Sequence, residues 1–151
     1  EERLVGFSLP VDYGALSPGQ TISQHTYVID DEMVARYVDA VQDESRVASV
    51  ADGPELAPPM SIAALSLTGV VQDLQIPGGT LHVGQEFKFS GAVQVGSTLE
   101  CIATLKTNSM RGGWRFMVVE SVIIDGDDRQ VMTGKSTITL PQDLTGGEAT
   151  E

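Results

Sequence analysis

The chain has 151 residues, of which 41% are hydrophobic, so it is long enough to bury the core of one domain. Its 21 acidic residues outnumber 9 Lys and Arg, which gives a net charge of −12. Because nucleic acids and anionic membrane surfaces attract basic patches, neither is expected as a partner. The single cysteine, Cys101, excludes an internal disulfide. With no evident signal peptide or membrane span, we expect a cytoplasmic protein.

The first third of the chain is predicted to hold one strand and one amphipathic helix. Residues 1–20 are expected to form an irregular leader, since proline and glycine recur there. Residues 21–29 are rich in β-branched side chains, which favours a strand. The acidic run 30–32 suits a helix start, and the apolar residues that follow recur at the helical period. They are Met33, Val34, Tyr37, Val38 and Val41. This helix is expected to end near residues 42–45, before a loop over 47–59.

The segment from Met60 to Leu74 is apolar on almost every side. Two prolines precede it, and Pro-Gly-Gly closes it at residues 77–79. A helix with this pattern is predicted to be buried, and at about 15 residues it is too short to span a bilayer. We therefore expect the strands that follow to pack around it.

From residue 80 onward the apolar period switches to two, which predicts four strands. Turns are expected at residues 96–97, 111–113 and 125–128. On the first of these strands one set of side chains is expected to face the core and another to face solvent. The apolar set is Leu81, Val83, Phe87 and Phe89, and the polar set is His82, Glu86 and Lys88. Consecutive hairpins predict an antiparallel meander, and the fold class is α+β, with a sheet wrapped around a central helix.

Three stretches of the chain, in this order, resemble the MaoC-like hydratase/dehydratase family, whose domains have the hotdog fold. They read ARYVDAVQDESRV, LAPPMSIAALSL and LHVGQEFKFSGAVQVGSTL. The resemblance covers roughly residues 19–141. It implies one hotdog domain over residues 21–141, followed by a polar tail over 142–151. It also implies pairing into a dimer with an acyl tunnel at the interface, and no cofactor.

In that family an Asp and a His add or remove water across the Cα–Cβ bond of an acyl thioester, and a backbone amide holds the thioester oxygen. The family's Asp falls on Asp43 of this chain, but its His falls on Ala48. The glycine that supplies the amide falls on Pro59, which has no N–H. Because no histidine lies between residues 30 and 81, the standard dyad is absent from this sequence.

This combination resembles the degenerate subunits of heteromeric acyl dehydratases, in which a partner chain supplies the catalytic residues. The resemblance implies a substrate bound to coenzyme A or to acyl carrier protein, and a homodimer or a heterodimer with another hotdog subunit. Tyr37, Met60 and Ser61 are the substrate-binding residues that it implies.

Two candidates for acid/base chemistry remain in the chain. Asp43 is either a surviving site carboxylate or an exposed acid at a helix end. His82, near Glu86 on its strand, is either a replacement base or a solvated histidine, and His25 has a weaker claim. Two histidines so far apart give no metal signature, so no metal site is predicted.

Other reactive side chains fit structural roles better. Ser61 and Ser66 lie on the central helix without the Gly-x-Ser-x-Gly elbow of a nucleophile, and small hydroxyls in buried helices usually bond to the backbone. Cys101 is expected in the core. Asp73 is the helix acid that thioester hydrolysis would use, but it lies at the far end of the helix from the expected site.

Three functions are therefore open from the sequence. The first is a degenerate MaoC-like subunit that binds an acyl or polyketide thioester for a partner-dependent hydratase or dehydratase. The second is a free-standing enzyme that uses the same pocket for cyclisation or isomerisation, with His82 or Asp43 as the acid/base. The third is a structural or binding module without catalysis.

Overall fold

The computed structural model describes residues 10–44 and 53–142. Its helices and strands follow the α+β order that the sequence predicts. They are β1 (Thr21–Val28), α1 (Asp31–Val41), α2 (Pro59–Asp73), β2 (Leu81–Phe89), β3 (Thr98–Arg111), β4 (Trp114–Asp125) and β5 (Gln130–Pro141). A 3-10 turn, Tyr13–Ala15, precedes β1.

The five strands form one antiparallel sheet in the order β1-β3-β4-β5-β2. The hairpins β3–β4 and β4–β5 are confirmed. The expected hairpin between β2 and β3 is wrong, because β2 pairs with β5 and lies at the opposite edge from β1. The segment between β2 and β3 is therefore a crossover connection. Val93 O in this segment accepts a hydrogen bond from Ala57 N–H at 2.8 Å. The alternating pattern locates a strand but does not say which strand it pairs with.

Helix α1 begins and ends as the sequence predicts. Asp30 is its N-cap, and the Asp30 carboxylate accepts a hydrogen bond from Met33 N–H at 2.8 Å. The helix ends at Gln42, which adopts a left-handed conformation. Its apolar side joins the core through the buried Val34 and the half-buried Val38.

Helix α2 lies on one face of the sheet and packs against β1, β3 and β5. The strand residues on that face are buried, and they alternate with half-exposed ones as the period-two pattern predicts. The buried residues of β3 and β4 are Leu99, Cys101, Ala103, Leu105, Met117, Val119, Ser121 and Ile123. All of them except Ser121 belong to two core clusters, one under each half of α2.

The expectation that α2 is buried on every side is wrong. Met60 is 49% exposed and Val71 is 52% exposed. A single sheet covers only one side of a helix, so the opposite apolar side is left open. The edge strand β2 is also open: Val83 is 55% exposed, and an irregularity between His82 and Gly84 interrupts the predicted alternation.

The segment before β1 is tied to the C-terminal end of α2. The hydroxyl of buried Tyr13 donates to Leu74 O at 2.6 Å and to Gln75 O at 3.0 Å. These carbonyls belong to the end of a helix, where backbone acceptors lack intrahelical partners. Asn108 on β3 holds the same segment by donating to Tyr13 O and Leu16 O.

Gly69 allows α2 to approach β1 closely. A Cβ at this position would lie 2.6 Å from His25 Cδ2 and 3.0 Å from Ser23 Oγ. The first distance is shorter than real Cβ contacts and the second is tight, so a side chain at residue 69 would require His25 to move, and the absence of one lets the helix and the strand pack at this separation.

We predict that Gly69→Ala lowers the free energy of unfolding by about 1 to 2 kcal/mol, because the cost of overpacking exceeds the gain in helix propensity. Gly78→Ala is the matched control, since a Cβ there meets no atom within 4 Å. Its effect should stay within about 0.5 kcal/mol. Urea denaturation followed by circular dichroism measures both variants. Equal stability of Gly69→Ala and the wild type would contradict the close-packing argument.

Candidate functional site

The first turn of α2 lacks the amide that the family resemblance places there. The N-cap is Pro58, which makes no side-chain cap hydrogen bond, and Pro59 occupies the first helical position. Ser61 is buried, and both its N–H (2.9 Å) and its hydroxyl (2.6 Å) donate to Pro58 O. The first amide N–H of this helix therefore belongs to Met60, which is half exposed.

Helix α1 carries one predicted site residue, Tyr37, and is followed by another, Asp43. The apolar side of α1 and the first turns of α2 share one core cluster, which includes Val34 and Ile62. Tyr37 is half-buried on α1, and Asp43 is half-buried just beyond its end, where Asp43 N–H donates to Val38 O at 3.1 Å. Ala48, the position of the family's histidine, lies outside the described residues. The roles of Tyr37, Asp43, Met60, Ser61 and His82 stay predictions.

An apolar cleft of about 270 Å³ lies beside the C-terminal half of α2. Its walls come from that helix, from the turn before β2, and from β2, β4 and β5. The apolar lining includes Leu67, Val70, Val71, Ile76, Val119 and Ile138. Thr80, His82 and Ser136 supply polar side chains to this lining. A cavity with mostly apolar walls and a few polar groups is the usual form of a small-molecule site.

His82 does not pair with Glu86, as its place on the strand suggested; instead it contacts Gln85. The distance from His82 Nε2 to Gln85 Oε1 is 3.0 Å, and the Ser136 hydroxyl donates to the same oxygen at 2.6 Å. Gln85 thus connects two of the three polar side chains of the cleft wall, His82 and Ser136.

The structure brings together a histidine and an acid that sequence reasoning set aside. His25 Nε2 on β1 lies 2.8 Å from Asp73 Oδ2 at the end of α2. The rings of His25 and Tyr27 stack at 6.0 Å. The nearby space between β1 and α2 amounts to only a narrow crevice. The sequence signal for this contact between β1 and α2 was Gly69, because a small residue in a helix marks a place where a strand is able to approach closely.

Cys101 and two tyrosines are held in their neutral forms by burial. Burial raises the pKa of the Cys101 thiol to about 11, and the neighbouring Glu100 carboxylate adds to this shift. Burial likewise raises the pKa values of Tyr13 and Tyr27. A thiol that stays protonated is a poor nucleophile, so Cys101 is confirmed as a core residue.

A wider groove of about 430 Å³ on the sheet is lined by charged side chains. Lys106 and Glu120 are 3.5 Å apart, and Lys135 and Glu86 are 3.8 Å apart. Exposed pairs of this kind contribute little to stability and make no enclosed site. In the described ranges no cluster of acidic, histidine or cysteine residues is arranged to hold a metal ion. Neither α1 nor α2 has the length and apolar run needed to cross a membrane.

Solved structures share this architecture. The R-hydratase PhaJ1 from Pseudomonas aeruginosa is 20% identical, with a TM-score of 0.74 over 88% of this chain and 87% of that one. The MaoC-like dehydratase from Rhodospirillum rubrum is 13% identical, with a TM-score of 0.71 over 87% and 97%. The HadBC (3R-hydroxyacyl-ACP dehydratase) complex from Mycobacterium tuberculosis is 18% identical, with a TM-score of 0.67 over 87% and 100%.

An antiparallel sheet packed on one central helix, shared with these structures, defines a hotdog-fold protein. Residues 17–134 match the family model for the FAS1-like dehydratase domain region. The chain belongs to this family, and the resemblance to MaoC-like hydratases and dehydratases is confirmed. No curated protein matches the sequence.

We predict that native Cys101 reacts with the thiol reagent DTNB at pH 8 far more slowly than the denatured chain does. The unfolded thiol has a pKa of about 8.5, and the native value of about 11 keeps it protonated. Because the pKa of the Cys101 thiol is higher in the folded state than in the unfolded state, its stabilising contribution is complete below the unfolded pKa. This contribution is lost as the pH rises through the folded pKa.

The wild type should therefore become less stable between pH values of about 8.5 and 11. Cys101→Ala should reduce this loss in the free energy of unfolding by about 1 kcal/mol or more. The remaining loss should come from Tyr13 and Tyr27, whose pKa values are also raised. Because the chain has one cysteine, labelling reports this site alone. Rapid labelling of the native protein would contradict the assignment of Cys101 to the core.

Proposed function

We propose that this chain is a hotdog subunit that binds an acyl or polyketide thioester and serves a hydratase or dehydratase whose acid/base residues come from a partner subunit. The observation that carries the proposal is the position of the two histidines of the chain. His25 contacts Asp73 at the end of α2, and His82 lines the cleft beside the C-terminal half of that helix. Neither stands at the first turn, where the family's chemistry takes place.

The proline at the first turn of α2 supports the same proposal. A developing enolate needs a hydrogen-bond donor at the thioester oxygen. Pro59 offers none, and Ser61 is committed to Pro58 O. The Met60 N–H lies one residue further along the helix than the family's donor, so this chain is poorly equipped to hold the oxygen by itself.

The cleft beside α2 suits the acyl chain of such a substrate. Leu67 and Val71 lie about 10 and 16 Å along the helix axis from Met60, at a rise of 1.5 Å per residue. An acyl chain whose thioester lies at the first turn would reach the cleft with its distal part. The apolar walls would bury that part, and the carrier, coenzyme A or acyl carrier protein, would remain outside.

The open edge of the sheet is the surface that we assign to the partner. Strand β2 pairs with β5 on one side, and exposed apolar side chains such as Leu81, Val83 and Phe89 lie along it. An apolar edge strand invites pairing with another strand. A homodimer or a heterodimer with another hotdog subunit would cover it, and the similar HadBC structure is itself a complex.

Assay of the purified chain against a series of enoyl-CoA substrates tests the proposal. We expect no hydration by the chain alone, and hydration when it is co-expressed with a hotdog subunit that carries the family's Asp and His. That subunit without this chain is the control for its intrinsic activity. Robust hydration by the isolated chain would overturn the proposal.

A matched pair of edge variants tests the assigned interface. Val83→Lys should reduce the activity of the co-expressed complex about tenfold or more, because a buried unpaired ammonium is costly. Val28→Lys, at a residue 57% exposed on the opposite edge strand β1, should leave it unchanged. Size-exclusion chromatography reports assembly directly. If the two variants lost the same amount of activity, the β2 edge would not be the interface.

The position of His82 favours a second candidate, a free-standing enzyme that carries out isomerisation or cyclisation within the cleft. His82 lines the cleft, and its contact with Gln85 fixes the orientation of the imidazole ring. An oriented histidine at an apolar site is suited to general acid/base chemistry.

For this second candidate, His82→Ala should lower turnover by the isolated chain at least about a hundredfold, the usual contribution of a general acid/base. Because His82 is exposed, its truncation leaves no cavity and the melting temperature should stay constant. His25→Ala is the matched control at the other histidine and should retain turnover. Unchanged turnover of His82→Ala would exclude this candidate.

A further inference from the structure

We propose that the cleft beside α2 selects acyl chains that carry a hydroxyl group far from the thioester, and that His82 and Ser136 recognise it. The inference rests on the proposed function, since it takes an acyl thioester as the ligand. It adds a substrate class to the site, namely hydroxylated acyl chains rather than plain hydrocarbon ones.

The Gln85 side-chain amide directs its oxygen toward two residues of the cleft wall. Gln85 Nε2 donates to Glu86 O at 3.2 Å, and this places the amide oxygen toward Ser136 and His82. An amide oxygen only accepts hydrogen bonds. Both neighbours must therefore donate to it: the Ser136 hydroxyl at 2.6 Å and the His82 Nε2–H at 3.0 Å.

The hydrogen bonds to Gln85 leave His82 and Ser136 with acceptor atoms to offer a ligand. A neutral His82 that carries its proton on Nε2 has an unprotonated Nδ1, which accepts. The Ser136 oxygen has used its proton but keeps a lone pair. Thr80, the other hydroxyl of the cleft, also spends its proton, on Pro77 O at 2.8 Å. The polar part of the cleft wall therefore presents acceptors and calls for a donor on the ligand.

The surroundings limit which donor fits. The remaining walls are apolar, so an ammonium group would be desolvated without a counter-charge, at high cost. A ketone or a methylene group brings no proton to the acceptors. An aliphatic hydroxyl is neutral, small and a donor, and it would add a hydrogen bond to the remaining lone pair of Ser136, which is buried.

The position of the cleft separates this hydroxyl from the one on which a hydratase acts. That reacting hydroxyl lies on the β-carbon, next to the thioester at the first turn of α2. The cleft begins about 10 Å further along the helix. The recognised hydroxyl is therefore on the distal part of the chain.

Calorimetric titration of the purified full chain tests the inference. The probes are saturated acyl-CoA thioesters of increasing length and their chain-matched ω-hydroxy derivatives. At the length that places the hydroxyl in the cleft, we expect the hydroxylated probe to bind about tenfold more tightly than the plain one. At shorter lengths the difference should vanish.

Variants of the cleft give the decisive comparison. Ser136→Ala and His82→Ala should each bring the preference down to about twofold while they retain binding of the plain probe. Ser121→Ala is the matched control, because Ser121 is a buried serine on the same sheet face that does not line this cleft, and it should keep the full preference. His82 is exposed, so its variant stays informative even if Ser136→Ala lowers stability.

The outcomes separate the inference from the function on which it rests. If plain and hydroxylated probes bind equally at every length, the hydroxyl preference is wrong and the proposed function stands. If the preference persists in both cleft variants, His82 and Ser136 are not its source. If no thioester binds at all, the proposed function fails, and the inference fails with it.

Discussion

The structure depends on burying one apolar helix with one sheet. Helix α2 has too few polar side chains to stand in water, and the strands cover it on one side only. The covered side is closely packed, to the point that Gly69 has no space for a methyl group. The other side leaves Met60 and Val71 half exposed. A helix that is apolar all round but half covered leaves apolar surface exposed in the single chain, and under the proposed function this open side is available to a ligand.

The two ends of α2 consequently have different properties. At the first turn, prolines replace the amides that would stabilise charge, and the chain offers no histidine there. Beside the C-terminal half, the cleft is bounded by apolar side chains and by the group formed by His82, Gln85 and Ser136. Under the proposed function, the chemistry that a partner would supply and the binding surface of this chain are thus separated along one helix. Such a separation is physically reasonable for a subunit that binds while another catalyses.

Three polar side chains of the cleft wall direct their protons to partners within the protein. For Ser136, which is buried, an unpaired donor would be costly, whereas His82 is exposed and Thr80 is half-buried. Gln85 accepts two of them and Pro77 O accepts a third. What is left for a ligand is decided by these internal bonds and not by residue type alone, since a serine or a histidine is able to donate as well as accept.

The sequence by itself determined the elements, because the periodicity of apolar side chains is a local property of the chain. It predicted α1 with its Asp30 cap, the apolar α2 and the strand pattern, and the family resemblance places Ala48 at the position of the dyad histidine and Pro59 at that of the oxyanion donor. Only the tertiary structure decided that β2 pairs with β5, that one side of α2 stays open, and that His25 meets Asp73. The two contacts join residues that are distant in sequence, and the open side of α2 depends on which strands cover the helix. No local pattern encodes these features, because several surfaces compete to cover the same helix.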